Sequence, residues 1–234
     1  MSIDLRGLRR VPVVGRTLIG AARLARRHTF PGSARYWERR YASGGTSGAG
    51  SRGALALYKA DVLNAFVAAN DVASVVEFGC GDGEQLALAR YPRYLGLDVS
   101  PSMLRRVMAR FADDRTKSFL RYDPHCFTDP AGLVTADLAL SIDVVYHLVE
   151  HDVYRLHLRH VFGAATRFVG LYTTDADRLA PTTGTAPHVR HRPVAADVAA
   201  WFPDWRPRAA ADDHRRPPGS LADFFLYERV SPAG

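Results

Sequence analysis

The stretch that most constrains this chain runs from Ser74 to Glu84, "SVVEFGCGDGE". Its first half is a short apolar, β-branched run. That suits a strand buried on both faces rather than one that alternates between core and water. Its second half puts glycine at every other position, Gly79, Gly81 and Gly83. Glycine reaches backbone conformations closed to other residues and lets a ligand lie close to the main chain. A buried strand running into such a turn points to an α/β sheet with a ligand at the strand's end. The turn is not a dinucleotide loop, because G-x-G-x-x-G needs glycine where Glu84 stands.

A second glycine-rich stretch, "GGTSGAGSRG" (44–53), competes for the same role. Gly45 and Gly50 have P-loop separation, but Ser51 replaces the lysine that must reach the phosphates and Arg52 the hydroxyl that must hold magnesium. No strand precedes it; the aromatic segment "YWERRYAS" does. It reads as a hinge-like connector, or as a plain flexible linker.

The rest of the chain alternates. From Ser51, a fair N-cap, Leu55, Tyr58, Val62, Leu63, Phe66 and Val67 keep helical spacing. Strands are expected at 74–79, 93–98, 117–122, 137–142 and 167–173. Helices are expected across "DGEQLALARY", from Pro101 behind the N-cap Ser100, at 150–163 and near 194–202. Two last strands, near 205–211 and 222–230, lack a good helix between them and pair as an antiparallel edge. The fold class is α/β, a mostly parallel seven-stranded sheet with helices on both faces. Ligands in such sheets bind beyond the carboxyl ends of the strands.

Charge is unevenly spread. Residues 1–40 hold ten arginines against Asp4 and Glu38, a balance of +8, while the whole chain carries +7, so the remainder is close to neutral. That argues against nucleic acid as a partner, which calls for a basic face on the folded part. "RTLIGAARLARR" (16–27) reads either as a solvated arm or as a basic helix in weak contact with a membrane surface or partner. Its arginines break every apolar run that a signal peptide needs. Cys80 and Cys126 show no metal or disulfide spacing, which fits a reduced, cytoplasmic setting, and no acidic cluster suggests a metal.

Glu77-x-Gly79-x-Gly81-x-Gly83, followed by Asp98 at the end of the second strand, resembles the signature of the class I S-adenosylmethionine-dependent methyltransferases. By element order the resemblance covers residues 72–230. It implies the Rossmann-like fold of that family and S-adenosylmethionine as cofactor. Glu77 would take the cofactor's ammonium, the loop glycines with Cys80 would pass close to it, and Asp98 with Val99 would hold the ribose. Asp123 would meet the adenine, and Ser141 belongs to the cofactor set. "SIDVVYHLVE" (141–150) would line the methionine and substrate side, with Asp143 and Tyr146 facing the acceptor. His147 is the candidate base, or a residue that orients the acceptor. Residues 1–50 would form a basic segment with an aromatic lid of Tyr36, Trp37 and Tyr41 on the glycine hinge, and 51–234 the methyltransferase domain. The acceptor is expected to be a small molecule. His188, Arg190 and Arg192 in "HVRHR" favour an anionic one, unless that loop simply closes onto the acidic side chains at 175 and 177. The rival class is a binding protein that keeps the fold without turnover.

Overall fold

A computed structural model describes residues 30–180, 186–209 and 216–230. The arginine-rich arm, and with it the expected membrane or partner contact, lies outside the described residues. The elements in chain order are α1 (Ser33–Ala42), α2 (Gly53–Ala69), β1 (Val75–Phe78), β2 (Tyr94–Asp98), α3 (Pro101–Arg110), β3 (Lys117–Arg121) and β4 (Ala136–Ile142). Then follow α4 (His151–Ala164), β5 (Ala165–Thr173), α5 (Val194–Trp201), β6 (Trp205–Arg208) and β7 (Asp223–Arg229).

The strands form one sheet in the order β3-β2-β1-β4-β5-β7-β6. β1 to β5 are parallel; β7 runs antiparallel to both β5 and β6. The expected late pair thus closes one edge, with β7 as the reversed strand and β6 outermost. Pro207 sits in β6, where a missing N–H is tolerated because only one neighbour pairs with it. Central β1 is buried at every position, as its unbroken apolar run requires. Leu63 and Phe66 of α2 and Val107 of α3 cover one sheet face, against Val75, Leu138 and Leu140. Leu158 and Val161 of α4 and Val198 of α5 cover the other, against Val76, Ala139 and Val169. Chain order reverses between β1 and β4, which opens a crevice at their carboxyl ends.

Two local expectations fail. The helix expected across "DGEQLALARY" is only a short 3-10 turn, Leu86–Leu88. The connection must return the length of the sheet before Tyr94, and Pro92 bars a helical Tyr91. The Asn64 side chain of α2 takes up two of the segment's backbone groups, and Gln85 ties it to the α2 backbone. Asn64 Nδ2 donates to the Leu88 carbonyl (2.9 Å), Asn64 Oδ1 accepts from Arg90 N–H (2.7 Å), and Gln85 Nε2 donates to the Ala56 carbonyl (3.0 Å). Ser51 does not cap α2: it ends a 3-10 turn, Ala49–Ser51, and Arg52 holds the capping position without a side-chain bond. Ser100 does cap α3, accepting from Met103 N–H at 3.0 Å.

Candidate active site

A cavity of about 870 Å3, mouth included, fills the crevice. Glu77, Gly79, Cys80 and Gly81 line it from the end of β1, Asp98 and Val99 from β2, and Ile142, Asp143, Val144 and His147 from β4. Lys59 of α2 closes one side, and α1 lies over it with Ser33, Ala34, Trp37 and Tyr41. The glycine turn depends on its glycines. Gly79 has φ +94°, and a Cβ there would lie 2.4 Å from Val144 Cγ2. Gly81 has φ +55°, and its Cβ would lie 2.4 Å from Ser47 Oγ. Both conformations are in the region that L side chains rarely adopt.

The polar floor is buried. Glu77 is 6% exposed and accepts from the Tyr94 hydroxyl at 2.6 Å; burial pushes its carboxyl up to about 7. Asp98 is 5% exposed and accepts from Gly81 N–H (3.0 Å) and Ser100 N–H (2.9 Å). Burial raises it to about 6 against the pull of those two N–H groups. Lys59, fully buried, forms an ion pair with Asp143, whose other oxygen accepts from the Tyr146 hydroxyl at 2.9 Å. Asp143 itself has φ +60°, an uncommon backbone for any residue but glycine. His147 Nδ1 donates to the His188 carbonyl at 3.0 Å, which leaves Nε2 as an acceptor; burial holds its imidazole down to about 4.

The segment 43–52 is tied down across the glycine turn. Ser47 N–H donates to Asp82 Oδ2 (2.9 Å) and Asp82 N–H donates to Ser47 Oγ (3.0 Å). Arg40 Nε reaches the Thr46 carbonyl at 2.7 Å and Arg106 the Gly45 carbonyl at 3.1 Å. The glycines of 44–53 thus let the chain pass close to the first glycine turn.

No protein-family model and no curated protein sequence matches the chain. Solved structures do. The N-methyltransferase NodS of Bradyrhizobium japonicum, in complex with S-adenosyl-L-homocysteine, matches with a TM-score of 0.60 at 13% identity over 86% of this chain and 100% of that one. Phosphoethanolamine N-methyltransferase 1 of Haemonchus contortus, with phosphoethanolamine and S-adenosylhomocysteine, gives 0.59 at 15% over 89% of this chain and 50% of that one. Magnesium protoporphyrin IX methyltransferase of Synechocystis, with bound S-adenosylhomocysteine, gives 0.54 at 14% over 74% and 83%. The fold is that of the class I S-adenosylmethionine-dependent methyltransferases.

On this methyltransferase fold most of the expected residues converge. Glu77, Gly79, Cys80, Gly81, Asp98, Val99, Asp143, His147, Trp37 and Tyr41 all line the cavity. Gly83 stands behind it, where a Cβ would meet Phe111 Cε2 at 2.7 Å. Several expectations need correcting. Asp123 is exposed and binds its own loop, accepting from His125 N–H at 3.0 Å; Tyr122 and Pro124 line the cavity instead. Ser141 is buried and bonded to His157 Nε2 of α4 at 2.8 Å, and it is not itself in the cavity wall. It reaches the cavity only through that histidine. Tyr36 and Tyr146 stand one layer back: Tyr36 stacks on His188 at 4.6 Å, and His188 stacks on His147 at 5.3 Å. Arg192 is buried, and its Nη2 donates to the carbonyls of Leu148, Val149 and Glu150 at 3.0, 3.0 and 3.1 Å. Its guanidinium also lies over the Tyr154 ring at 4.3 Å. Exposed Arg190 donates to the Val149 carbonyl at 3.1 Å. Neither arginine lines the cavity, because the carbonyls entering α4 occupy them. The "HVRHR" loop closes onto those carbonyls and not onto the carboxylates at 175 and 177.

Sequence reasoning missed Lys59 and the anchors of α1. Lys59 had a legible signal: it is one of two lysines in an arginine-rich chain, and it falls at i+4 from Leu55 and i−4 from Leu63, on an apolar stripe. The anchors had none. Ser33 N–H donates to Glu150 Oε1 at 2.7 Å, and Glu38 accepts from the Ser102 hydroxyl at 2.6 Å and from that of Ser100. Both join residues far apart in sequence. Among the described residues no group of three or more His, Cys, Asp or Glu is placed to hold a metal ion, and no helix is long and apolar enough to cross a membrane.

Proposed function

We propose that this chain is an S-adenosylmethionine-dependent methyltransferase acting on a small-molecule acceptor. The observation that carries the reading is one buried cavity at the strand switch point that gathers the glycine turn, Glu77 and Asp98 under α1. The residues fit that cofactor. Glu77, Asp98 and Asp143 face the cavity against a single lysine, an acidic balance suited to a ligand with sulfonium and ammonium charges. Gln85, also in the wall, carries a buried amide oxygen with no partner. Glu77 holds the ammonium, Asp98 the ribose hydroxyls, and Val99 with Tyr122 and Pro124 the adenine. The cofactor supplies an electrophilic methyl group on sulfur.

The protein's own contribution is positioning and water exclusion. α1 covers the reacting centre, with Trp37 and Tyr41 as its ceiling; residues 30–50 act as a lid on the domain from 51 onward. His147, neutral above about pH 4, accepts the acceptor's O–H or N–H at Nε2. Its low basicity suits orientation, with proton uptake only after the attacking atom has gained positive charge. Among the described residues Lys59 is the only Lys or Arg in the wall, and it is paired with Asp143. That favours an acceptor whose entering end is not anionic, in place of the anionic one suggested by "HVRHR". The test is transfer of labelled methyl from S-adenosylmethionine to a panel of small amines, phenols and hydroxylated metabolites. Labelled product that vanishes in Asp98→Ala supports the reading; binding of S-adenosylmethionine without transfer to any candidate favours the non-catalytic binding protein.

A further inference from the structure

The outer faces of α1 and α3 carry charge that the fold does not use. The two helices lie side by side, joined where Glu38 of α1 accepts from the hydroxyls of Ser100 and Ser102 at the start of α3. Together they hold six arginines, Arg35, Arg39, Arg40, Arg105, Arg106 and Arg110, against Glu38 alone. Three of these are occupied within the molecule. Arg40 and Arg106 donate to the carbonyls of Thr46 and Gly45, and Arg110 pairs with Glu84. Arg35, Arg39 and Arg105 are exposed and make no hydrogen bond or ion pair among the described residues. Their placement opposes helix stability. Arg35 and Arg39 stand four apart on α1, and a like-charge pair at that spacing is destabilising. Arg35 also sits in the first turn, where the helix dipole favours acidic residues and α1 has none. Ser33, Trp37 and Tyr41 of the same helix turn to the cavity, which leaves Arg35 and Arg39 on its outward side. Arg105 lies close to Glu38, and so beside them. Exposed guanidiniums that weaken their own helix suit an anionic partner outside the molecule.

Two features fit a bilayer better than a nucleic acid. Apolar side chains accompany the arginines. Met108, at i+3 from Arg105, is 45% exposed, and the sequence leading into α1 sets Leu18, Ile19 and Leu24 among Arg16, Arg23, Arg26 and Arg27. Basic residues interleaved with apolar ones suit anionic headgroups above acyl chains. The chain beyond residue 40 is close to neutral overall, whereas a nucleic-acid reader carries a basic face across its folded domain. We propose that the outward faces of α1 and α3 dock on an anionic phospholipid surface, with Arg35, Arg39 and Arg105 against the headgroups. Because α1 also covers the cavity, docking sets the cover of the cavity at the lipid surface. This inference does not depend on what the cavity binds.

The test is co-sedimentation of the full chain with phosphatidylcholine vesicles, with and without phosphatidylglycerol, at low and high salt. Wild type is compared with Arg35→Gln/Arg39→Gln/Arg105→Gln, which keeps every arginine before α1. Wild type should bind only the vesicles that contain phosphatidylglycerol, more weakly as salt rises. The triple variant should bind them at least tenfold more weakly, with a urea midpoint no lower than that of wild type. A triple variant that binds as wild type does overturns the proposal, since the binding then belongs to another part of the chain. Wild type that ignores phosphatidylglycerol overturns it as well. So does tighter binding of duplex RNA than of the anionic vesicles, which would make the partner a nucleic acid.

Discussion

Glu77 and Asp98 carry their charges where ionisation is costly, and that has a consequence in pH. Both carboxyls are raised by burial, Glu77 from 4.5 to about 7 and Asp98 from 3.8 to about 6. The folded state therefore binds more protons than the unfolded one between the ordinary and the raised values. Their stabilising contribution is full below the ordinary values and is lost as pH rises toward 7. His147 and His157, held down to about 4 and about 3 by the same burial, act in the opposite sense. Theirs is full above the ordinary 6.5 and is lost as pH falls through the lowered values. A cationic ligand at Glu77 favours the ionised carboxyl, so binding near pH 6.5 should release protons and affinity should rise with pH up to about 7. Calorimetry of S-adenosylhomocysteine in buffers of different ionisation enthalpy checks this; no buffer dependence at pH 6.5 would argue against Glu77 as the ammonium site. Asp98→Ala should weaken the same ligand by about 1–3 kcal/mol, the usual loss of a charge-assisted hydrogen bond.

At the scale of elements, α1 is held by polar anchors more than by packing, since only Ser33 and Tyr41 of its ten residues are buried. Ser33→Ala with Glu38→Gln should speed amide exchange across 33–42 and leave β1 and β4 protected; unchanged exchange would mean that the anchors do not hold the helix. Arg192 plays a comparable part at the entry to α4. Arg192→Ala should lower stability by about 1–3 kcal/mol in urea unfolding, because the Leu148 carbonyl loses its side-chain donor and those of Val149 and Glu150 each lose one of two. Arg190→Ala, an exposed side chain, should leave stability nearly unchanged. These elements also mark how far the sequence could be read. The strands and long helices were legible because hydrophobic period reports burial directly. The missing helix after Gly83 was not, because backbone groups of Leu88 and Arg90 are satisfied by Asn64, a residue distant in the chain. The fate of Arg192 was hidden for the same reason: a guanidinium in a basic loop looks alike whether it meets a substrate or three carbonyls.

For the molecule as a whole, one sheet places the ends of β1, β2, β3 and β4 around one crevice, and the glycine turn, Glu77 and Asp98 meet there as their spacing implied. What no local pattern carried was how the expected lid is fastened: the bonds of Ser47 with Asp82 and of Ser33 with Glu150 hold the first helix and the segment after it over the crevice. The central claim is that this covered cavity is built for an adenosyl amino acid. The most direct measurement is a calorimetric titration of the full chain with S-adenosylhomocysteine and, separately, with a nicotinamide dinucleotide. The account predicts saturable binding of one S-adenosylhomocysteine per chain, lost or weakened in Asp98→Ala, and no comparable binding of the dinucleotide. Preferred binding of the dinucleotide, or S-adenosylhomocysteine affinity untouched by Asp98→Ala, would contradict it.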